Sequence, residues 1–302
     1  MNKKNFNRMV ALICLALIAV PSIGKKWKAE HVFIIGLDGW GAYSVEKADM
    51  PNVKQLMNEG CYTLKKRSVL PSSSAVNWAS MFMGAGPELH GYTEWGSAHP
   101  ELPSRVIEKN NIFPTVFQLL RNEAPEAEIG CIYEWAGIKY LVDTLSMNYH
   151  AQTPDCNKHP EAMSQMACKY IREKKPVLAA FCFDNPDHVG HAEGHDTPAY
   201  YANLKQLDKY IGEILNAIRE AGIYDKSIII VTSDHGGIKR GHGGKTMMEM
   251  ETPFIIAGKN IRKGGQFEES MMQFDCAATI AHIFKLKTPQ VWIGRPMKQV
   301  FK

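Results

Sequence analysis

Carboxylate and imidazole side chains recur in three segments of the chain, each of which follows an apolar run. The six strongest candidate ligands in these segments are Asp38, Asp187, His191, Asp234, His235 and His242. Mixed oxygen and nitrogen ligands suit Zn²⁺, and also Mn²⁺ or Fe, whereas the absence of thiolates argues against a structural zinc knuckle. These six ligands are enough to hold two metal ions with three protein ligands each.

The spacing of the candidates supports a metal site. Asp187 and His191 lie four residues apart in PDHVGH, which places both on one face of a helical turn. Asp234 and His235 lie together at the end of a predicted strand, and His242 follows after a glycine-rich turn. A single histidine is usually a core or surface residue, but a cluster of aspartates and histidines in glycine-rich turns has no packing reason to be there.

Two further histidines, His188 and His195, lie close to these candidates in the sequence. Each is either a residue that supports a ligand or a merely exposed side chain. The sequence leaves their roles open, so we assign neither as a ligand.

A candidate nucleophile lies upstream, in VLPSSSAVNWASMFM. Pro71 forces a turn, and the serines that follow it precede a helical stretch from Ala75 to Met83. A serine at a helix N-terminus meets free backbone N–H groups and the positive end of the helix dipole, which can bind phosphate or sulfate. Most such serines are simply helix caps, and Ser72 and Ser73 keep that interpretation, which leaves Ser74 as the candidate.

Strands and helices must bring these segments together. Three apolar runs, HVFIIGLD, PVLAAFCFDNPD and SIIIVTSD, end in aspartates, and EIGCIYEW and TPFIIAG are further candidate strands. Continuous apolar runs are typical of strands that are buried on both faces in a parallel sheet. In such sheets the ligand site lies outside the carboxyl ends of the strands, which is where these aspartates are.

Predicted helices alternate with the strands. They run over 51–59, from the N-cap Thr197 to Gly222, and from the N-cap Asp275 to about residue 284. The alternation predicts an α/β fold with a mostly parallel central sheet flanked by helices on both faces. Residues 86–111 have neither a strand nor a helix period, so we expect a small cap or loop insertion over the strand ends, which contacts substrate.

Aromatic residues in this loop and after the fourth candidate strand are possible substrate contacts. They are Tyr92, Trp95, Trp135 and Tyr140. An aromatic face can stack on a base or a sugar, but aromatic residues in caps serve equally often in packing.

The N-terminal segment has the layout of a cleaved signal peptide. Residues 1–24 combine a basic start, eleven apolar residues from Val10 to Val20 and small residues before the predicted cleavage site. Eleven residues are too few to span a bilayer, which takes about 20 in a helix. We therefore predict a signal peptide over 1–24, one domain over 25–302, no integral membrane segment in the mature chain, and export to the periplasm or the medium. An uncleaved anchor is the less favoured alternative.

Composition excludes other classes of protein. The 302 residues are 45% hydrophobic and 22% charged, which is typical of a globular chain rather than a disordered one. The formal charge of +4 falls to +1 when the leader is removed with Lys3, Lys4 and Arg8. Such a surface gives no electrostatic reason to expect a nucleic-acid polymer as a partner.

These motifs, taken together and in order, resemble the alkaline phosphatase superfamily. They are Asp38 in GLDG, Ser74 and Asn77 in PSSSAVN, Asp187 and His191 in PDHVGH, Asp234 and His235 in SDHGG, and His242 in GHGG. The branch they resemble most is the type I phosphodiesterase/nucleotide pyrophosphatase branch, and the similarity spans about residues 31–258.

The resemblance implies a role for each residue. Asp38, Asp234 and His235 would hold one Zn²⁺, and Asp187, His191 and His242 would hold the other, with Mn²⁺ or another divalent ion as an alternative. Ser74, where the family usually has threonine, would be the nucleophile and contact the metals. Asn77 would donate a hydrogen bond to a phosphoryl oxygen.

The function implied is an exported two-metal phosphohydrolase that cleaves small-molecule phosphate esters through a phosphoseryl intermediate. Phosphodiester, pyrophosphate and phosphomonoester substrates all stay open, as does the oligomeric state. A sulfatase is an alternative, although Ala75 and Val76 stand where that class needs its own motif. A non-catalytic protein that binds phosphorylated ligands is another, although binding alone needs no nucleophile.

Overall fold

A single mixed sheet forms the centre of the computed structural model, which describes residues 27–302. The predicted signal peptide lies outside the described residues. The strands are β1 (His31–Leu37), β2 (Cys61–Arg67), β3 (Ile129–Tyr133), β4 (Tyr149–Gln152), β5 (Leu178–Phe183), β6 (Ser227–Thr232), β7 (Glu251–Gly258) and β8 (Gly265–Gln266). Their order across the sheet is β4-β3-β5-β1-β6-β7-β2-β8.

Most of the strands run in the same direction. β1 pairs in parallel with β5 and β6, and β3 pairs in parallel with β4 and β5. β7 pairs antiparallel with both β6 and β2. The predicted α/β fold with a mostly parallel sheet is therefore confirmed.

Helices cover both faces of the sheet. They are α1 (Pro51–Glu59), α2 (Ser74–Met83), α3 (Pro87–His90), α4 (Val116–Glu123), α5 (Ala162–Lys174), α6 (Asp187–Glu193), α7 (Pro198–Glu220), α8 (Met247–Met250) and α9 (Asp275–Ile283). Val32 and Ile34 of β1 belong to one buried apolar cluster, whereas Phe33 and Ile35 belong to another on the opposite face. This two-sided burial explains why β1 is a continuous apolar run.

Helix ends agree with the sequence at two places and differ at a third. Helix α1 spans the nine residues predicted. The hydroxyl of Thr197 accepts a hydrogen bond from the Tyr200 N–H at the start of α7, as an N-cap does. Asp275, however, is the first residue of α9 and not its cap, because its carboxylate accepts hydrogen bonds from the backbone N–H groups of Met272 and Arg295.

The topology places three strand ends side by side. β5, β1 and β6 are neighbours in the sheet and run in parallel, so their carboxyl ends meet at one edge. Between residues 27 and 302, no helix has both the length and the apolar character needed to cross a bilayer.

Candidate functional site

The seven side chains predicted to act as ligands or nucleophile converge at this edge of the sheet. Asp38 follows β1, Asp234 and His235 follow β6, and Asp187 and His191 lie in α6 beyond the end of β5. Ser74 begins α2 and reaches the same place from the other side. The sequence separates the β1 segment from the β5 and β6 segments by more than a hundred residues, so only the parallel sheet brings them together.

Four of these residues form a buried group around the serine hydroxyl, which we call the inner group: Ser74, Asp38, Asp234 and His235. Ser74 Oγ lies 3.1 Å from His235 Nε2 and 3.4 Å from Asp38 Oδ1. His235 Nε2 lies 3.2 Å from Asp38 Oδ1 and 3.3 Å from Asp234 Oδ2. All four side chains therefore direct polar atoms to one point.

The other three ligands form an outer group: Asp187, His191 and His242. His191 Nε2 lies 3.1 Å from both Asp187 Oδ2 and His242 Nε2. The ligand atoms of these three residues lie within 4.8 Å of one another, and the same limit holds for Asp187 with Asp38 and His235. Asp187 therefore lies within reach of both groups, whereas the sequence had assigned it to one of them.

The backbone fixes the orientation of each imidazole. Every Nδ1 lies beside a backbone carbonyl oxygen: His191 beside Arg240 at 2.9 Å, His235 beside Gly236 at 2.7 Å, and His242 beside Ser72 at 3.1 Å. Because a carbonyl can only accept, Nδ1 donates in each case, and Nε2 is the ring atom that faces the site, where it binds either a proton or a metal ion. Metal-binding histidines are held in this way.

The inner group holds its charges at a high electrostatic cost. Burial raises the pKa of Asp234 well above its usual value, and the neighbouring Asp38 carboxylate adds to the effect. Burial alone would lower the pKa of His235, but the Asp234 and Asp38 carboxylates raise it to about 10. Two carboxylates this close together favour a cation between them, either a proton or a metal ion.

The outer group behaves differently. Burial would raise the pKa of Asp187, but its contacts with His191 and His195 hold that pKa well below its usual value. The Asp187 carboxylate raises the pKa of His191 to about 9. Burial, together with the charge of His235, lowers the pKa of His242 to about 4. The outer group therefore already contains partners for its carboxylate.

The residues present fit divalent metal ions. Asp234 Oδ2 is buried and accepts no hydrogen bond. Buried carboxylate oxygens without donors are costly, and a cation would satisfy them. Carboxylate oxygens and imidazole Nε2 atoms are also the ligands that Zn²⁺ and Mn²⁺ prefer.

The contacts of Asn77 differ from the hydrogen bond to a phosphoryl oxygen that the resemblance implied. Its side chain is fully buried, its Oδ1 accepts from the Val69 N–H at 2.7 Å, and its Nδ2 lies 3.1 to 3.2 Å from the carbonyl oxygens of Val69, Pro71 and Ser73. Both N–H groups are therefore used by the backbone, and neither is free for a phosphoryl oxygen. Asn77 instead stabilises the turn that carries Ser74.

Trp78 is a functional residue that the sequence analysis missed. Its indole Nε1 donates to Asp38 Oδ2 at 2.9 Å, so it fixes the carboxylate whose other oxygen faces Ser74. A Cβ at Gly36 would lie 2.3 Å from the Trp78 ring, which shows that β1 makes room for the indole. The available signal was its position four residues after Ser74, on the same face of the helix.

The neighbouring serines and the two unassigned histidines have distinct positions. Ser72 Oγ donates to the Gly244 carbonyl at 2.6 Å, whereas Ser73 Oγ is buried without a partner. His188 is exposed, and His195 is buried beside Asp187.

The four aromatic candidates divide into two pairs. Trp95 and Tyr140 are 68% and 39% exposed. Tyr92 is only 4% exposed, and its hydroxyl donates to the Tyr140 carbonyl, while Trp135 packs against the apolar core. The Trp95 carbonyl accepts from the N–H of Ala75, directly after the nucleophile candidate, so this part of the 86–111 segment lies beside the site.

The chain matches a known family model over most of its length. Residues 32–281 match the model described as type I phosphodiesterase / nucleotide pyrophosphatase. The chain is 22% identical over 215 residues to bis(5'-adenosyl)-triphosphatase enpp4 of Mus musculus, a match that covers 69% of this chain and 47% of that protein. It is 20% identical over 236 residues to human ectonucleotide pyrophosphatase/phosphodiesterase family member 5, covering 76% of this chain and 49% of that protein.

Solved structures show the same fold. Murine ectonucleotide pyrophosphatase/phosphodiesterase 5, in an inactive form in complex with AMP, has a TM-score of 0.73 at 15% identity, covering 90% of this chain and 100% of that chain. A 2-O GAG sulfatase has a TM-score of 0.72 at 14% identity, covering 90% of this chain and 74% of that one. Of the two relatives matched by sequence, the murine and the human protein named above, the chain spans about half the length.

Proposed function

The chain belongs to the type I phosphodiesterase/nucleotide pyrophosphatase family, and we propose that it is an exported hydrolase that cleaves phosphodiester or pyrophosphate bonds of small molecules with two metal ions. One observation carries this proposal: Ser74 Oγ, at the first residue of a helix, lies 3.1 Å from His235 Nε2 and 3.4 Å from Asp38 Oδ1. A hydroxyl at a helix N-terminus, within a cluster of metal-binding side chains, is suited to attack a phosphoryl group.

The inner and outer groups would each hold one divalent ion, Zn²⁺, Mn²⁺ or another, with Asp187 within reach of both. When bound, the pair of ions supplies positive charge that acidifies the serine hydroxyl and stabilises the leaving oxygen.

The residues of the chain itself prepare the nucleophile. Ser74 Oγ lies 3.1 Å from His235 Nε2 and 3.4 Å from Asp38 Oδ1, so the ligands of the inner group hold the hydroxyl in place, and its proton passes to solvent. Oγ gives up this proton and forms a bond to phosphorus, while the bond from phosphorus to the leaving oxygen breaks and that oxygen takes a proton from solvent. Water then attacks the phosphoserine, and the Ser74 hydroxyl is restored.

Helix α2 meets the charge on the phosphoryl oxygens. The Ala75 N–H donates to the Trp95 carbonyl, and the other N–H groups at the start of the helix have no partners within it, while the positive end of the helix dipole lies at Ser74. With the amide of Asn77 fully used by the backbone, the helix terminus and the metal ions would stabilise this charge.

We assign substrate contact to the exposed part of the 86–111 segment and to Tyr140. Trp95, whose carbonyl accepts from the N–H of Ala75 next to the nucleophile, and Tyr140 both present aromatic faces to solvent, which suits stacking on a base or another flat group. The names of the relatives, which mention adenosyl and nucleotide substrates, support this class of substrate. Trp95→Ala should raise KM for a nucleotide diester more than it lowers kcat. An unchanged KM would contradict this assignment.

The decisive experiment compares two adjacent serines. Metal-stripped protein is reloaded with Zn²⁺ or Mn²⁺ and assayed on aryl phosphomonoesters, diesters and a dinucleoside polyphosphate. Ser74→Ala should lower kcat by at least about a thousandfold, because the enzyme loses its nucleophile. Ser73→Ala is the matched control, since the buried Ser73 hydroxyl has no partner, and it should keep turnover. Full turnover by Ser74→Ala, or activity that survives metal removal, would refute the proposal.

Export is tested separately, since it rests on residues 1–24. The intact mass of the protein recovered from the periplasm or the medium should correspond to a chain that begins close to residue 25. A full-length mass in the membrane fraction would support the uncleaved anchor instead.

A further inference from the structure

His195 is a fully buried polar residue whose purpose is not explained by packing alone. The exposed fraction of its side chain is zero, and its Nε2 lies 3.6 Å from Asp187 Oδ1. Neither of these two atoms has a hydrogen-bond partner. A buried imidazole nitrogen and a buried carboxylate oxygen, each otherwise unpartnered, therefore face one another.

Two glycines form a slot for the imidazole. A Cβ at Gly190 would lie 2.3 Å from His195 Cε1, and a Cβ at Gly237 would lie 2.2 Å from His195 Nε2. Real Cβ atoms essentially never come this close. The slot therefore needs glycine on both walls, one from α6 and one from the turn that follows His235.

The rest of the ring is also fixed. The backbone N–H of His195 donates to the Lys239 carbonyl at 2.6 Å. Nδ1 lies 3.3 Å from the same oxygen, which already accepts that backbone N–H, so the carbonyl does not require the ring hydrogen on Nδ1. The Tyr200 ring packs beside the imidazole, with 5.4 Å between ring centroids. The ring therefore has one direction in which Nε2 can point, and Asp187 lies there.

Asp187 is confined on its other side. Its backbone N–H donates to the Asp38 carbonyl at 3.0 Å. A Cβ at Gly39, where φ is +69°, would lie 2.6 Å from Asp187 Cβ. With the backbone held, the rotation of the carboxylate is the one freedom that a neighbouring donor can control.

We propose that His195 is a positioning residue for Asp187. In the tautomer with its hydrogen on Nε2, His195 directs that hydrogen at Oδ1, 3.6 Å away, and so keeps Oδ2 turned toward His191 Nε2, which lies 3.1 Å away, with the outer group set to bind a metal ion. The inference rests on the proposed function only in that it requires a metal at the outer group.

Two polar substitutions separate this role from packing. In His195→Gln the side-chain amide can reach the place of Nε2, whereas in His195→Asn it reaches only the place of Nδ1, beside Lys239. Chelator competition measures the affinity for Zn²⁺ and Mn²⁺ without any ester substrate. We expect His195→Asn to weaken binding of one of two ions about 10- to 100-fold, and His195→Gln to stay close to wild type. His188→Gln, an exposed neighbour, is the control and should change nothing.

Other results would overturn the proposal. If both His195 variants bind metal as tightly as wild type, or if His195→Asn binds more tightly than His195→Gln, the ring serves packing or the Lys239 contact. A wild-type protein that binds no divalent ion would instead refute the proposed function. If the variants do not fold, ¹⁵N NMR of the wild-type imidazoles decides the question, because a His195 Nε2 without hydrogen between pH 6 and 8 is incompatible with donation to Asp187.

Discussion

The inner and outer groups contain the same types of side chain but lie in different surroundings. The side chains of Asp234 and His235 are completely buried, whereas the His191 side chain is 48% exposed. The inner ligands follow the ends of β1 and β6 directly, and the outer ones belong to a seven-residue helix and a glycine-rich turn. The inner ligands are thus positioned by the core of the sheet, whereas the positions of the outer ligands depend on a short helix and a loop.

This difference in position determines how each group is held. The inner group is fixed by the sheet, by the start of α2 and by the indole of Trp78. The outer histidines are fixed through the carbonyl oxygens of Arg240 and Ser72. Water can reach the place of His191, which is half-exposed, but not those of Asp234 and His235, so we expect damage to the inner group to cost more.

The largest difference between the two groups should be a difference in metal affinity, seen when one ligand of each group is removed in separate variants. Asp234→Asn removes a buried carboxylate, and we expect the affinity for one ion to fall by more than about 100-fold. His191→Asn removes a half-exposed ligand that water can replace, and we expect a loss nearer to about tenfold. Chelator competition on the two variants gives both numbers. Equal losses, or a larger loss in His191→Asn, would show that burial does not separate the two groups.

A second effect concerns the metal-free protein and pH. The pKa of His235 is raised to about 10 and that of Asp234 is raised as well, so the folded inner group binds protons that the unfolded chain releases. For His235 the stabilisation is complete below the unfolded value of about 6.5 and is lost as the pH rises through about 10, whereas the loss from Asp234 begins at the lower unfolded value of an aspartate, about 3.9. The metal-free protein should therefore lose stability between about pH 6.5 and 10, and bound metal should remove this dependence.

The two groups differ in this test too. His235→Gln should flatten the pH dependence of the denaturation midpoint. His191→Gln should change it little, because solvent screens the half-exposed His191. Lys66, whose pKa burial lowers to about 8, acts in the opposite direction, and its effect cancels when each variant is compared with wild type. The same pH dependence in metal-free His235→Gln and in the wild type would contradict the assignment.

The sequence predicts that the candidate ligands lie close together because each lies next to a strong local pattern. Runs such as SIIIVT read as buried strands, and the polar residues after them must lie at the carboxyl edge of the sheet. Short β4 and β8 were missed, since four largely exposed residues and two residues carry no such pattern.

The residues that support the ligands could not be predicted in this way. The indole of Trp78 bonds a carboxylate 40 residues away in the sequence, and His195 fits between glycines of two different segments. The family resemblance implied that Asn77 contacts a phosphoryl oxygen, but tertiary structure places backbone carbonyls around its amide. Local patterns predict which element a residue belongs to, whereas such contacts depend on how the elements pack.

The smallest effect we expect tests one such support of the inner group. Trp78→Phe keeps an aromatic ring but removes the N–H that bonds Asp38 Oδ2 at 2.9 Å. Leaving that buried oxygen without its donor should cost about 1–3 kcal/mol in the free energy of unfolding. The affinity of the inner group for metal should fall, and that of the outer group should not.

Trp40→Phe is the matched control for this substitution. Trp40 is also completely buried, but its indole Nε1 has no hydrogen-bond partner, so Phe removes a similar volume without removing a hydrogen bond. Both variants leave a cavity, and the difference between their free energies of unfolding therefore isolates the contact with Asp38. If the two variants lose the same stability and bind metal alike, the indole serves only to fill space, and the inner group owes its order to the strand ends and Ser74 alone.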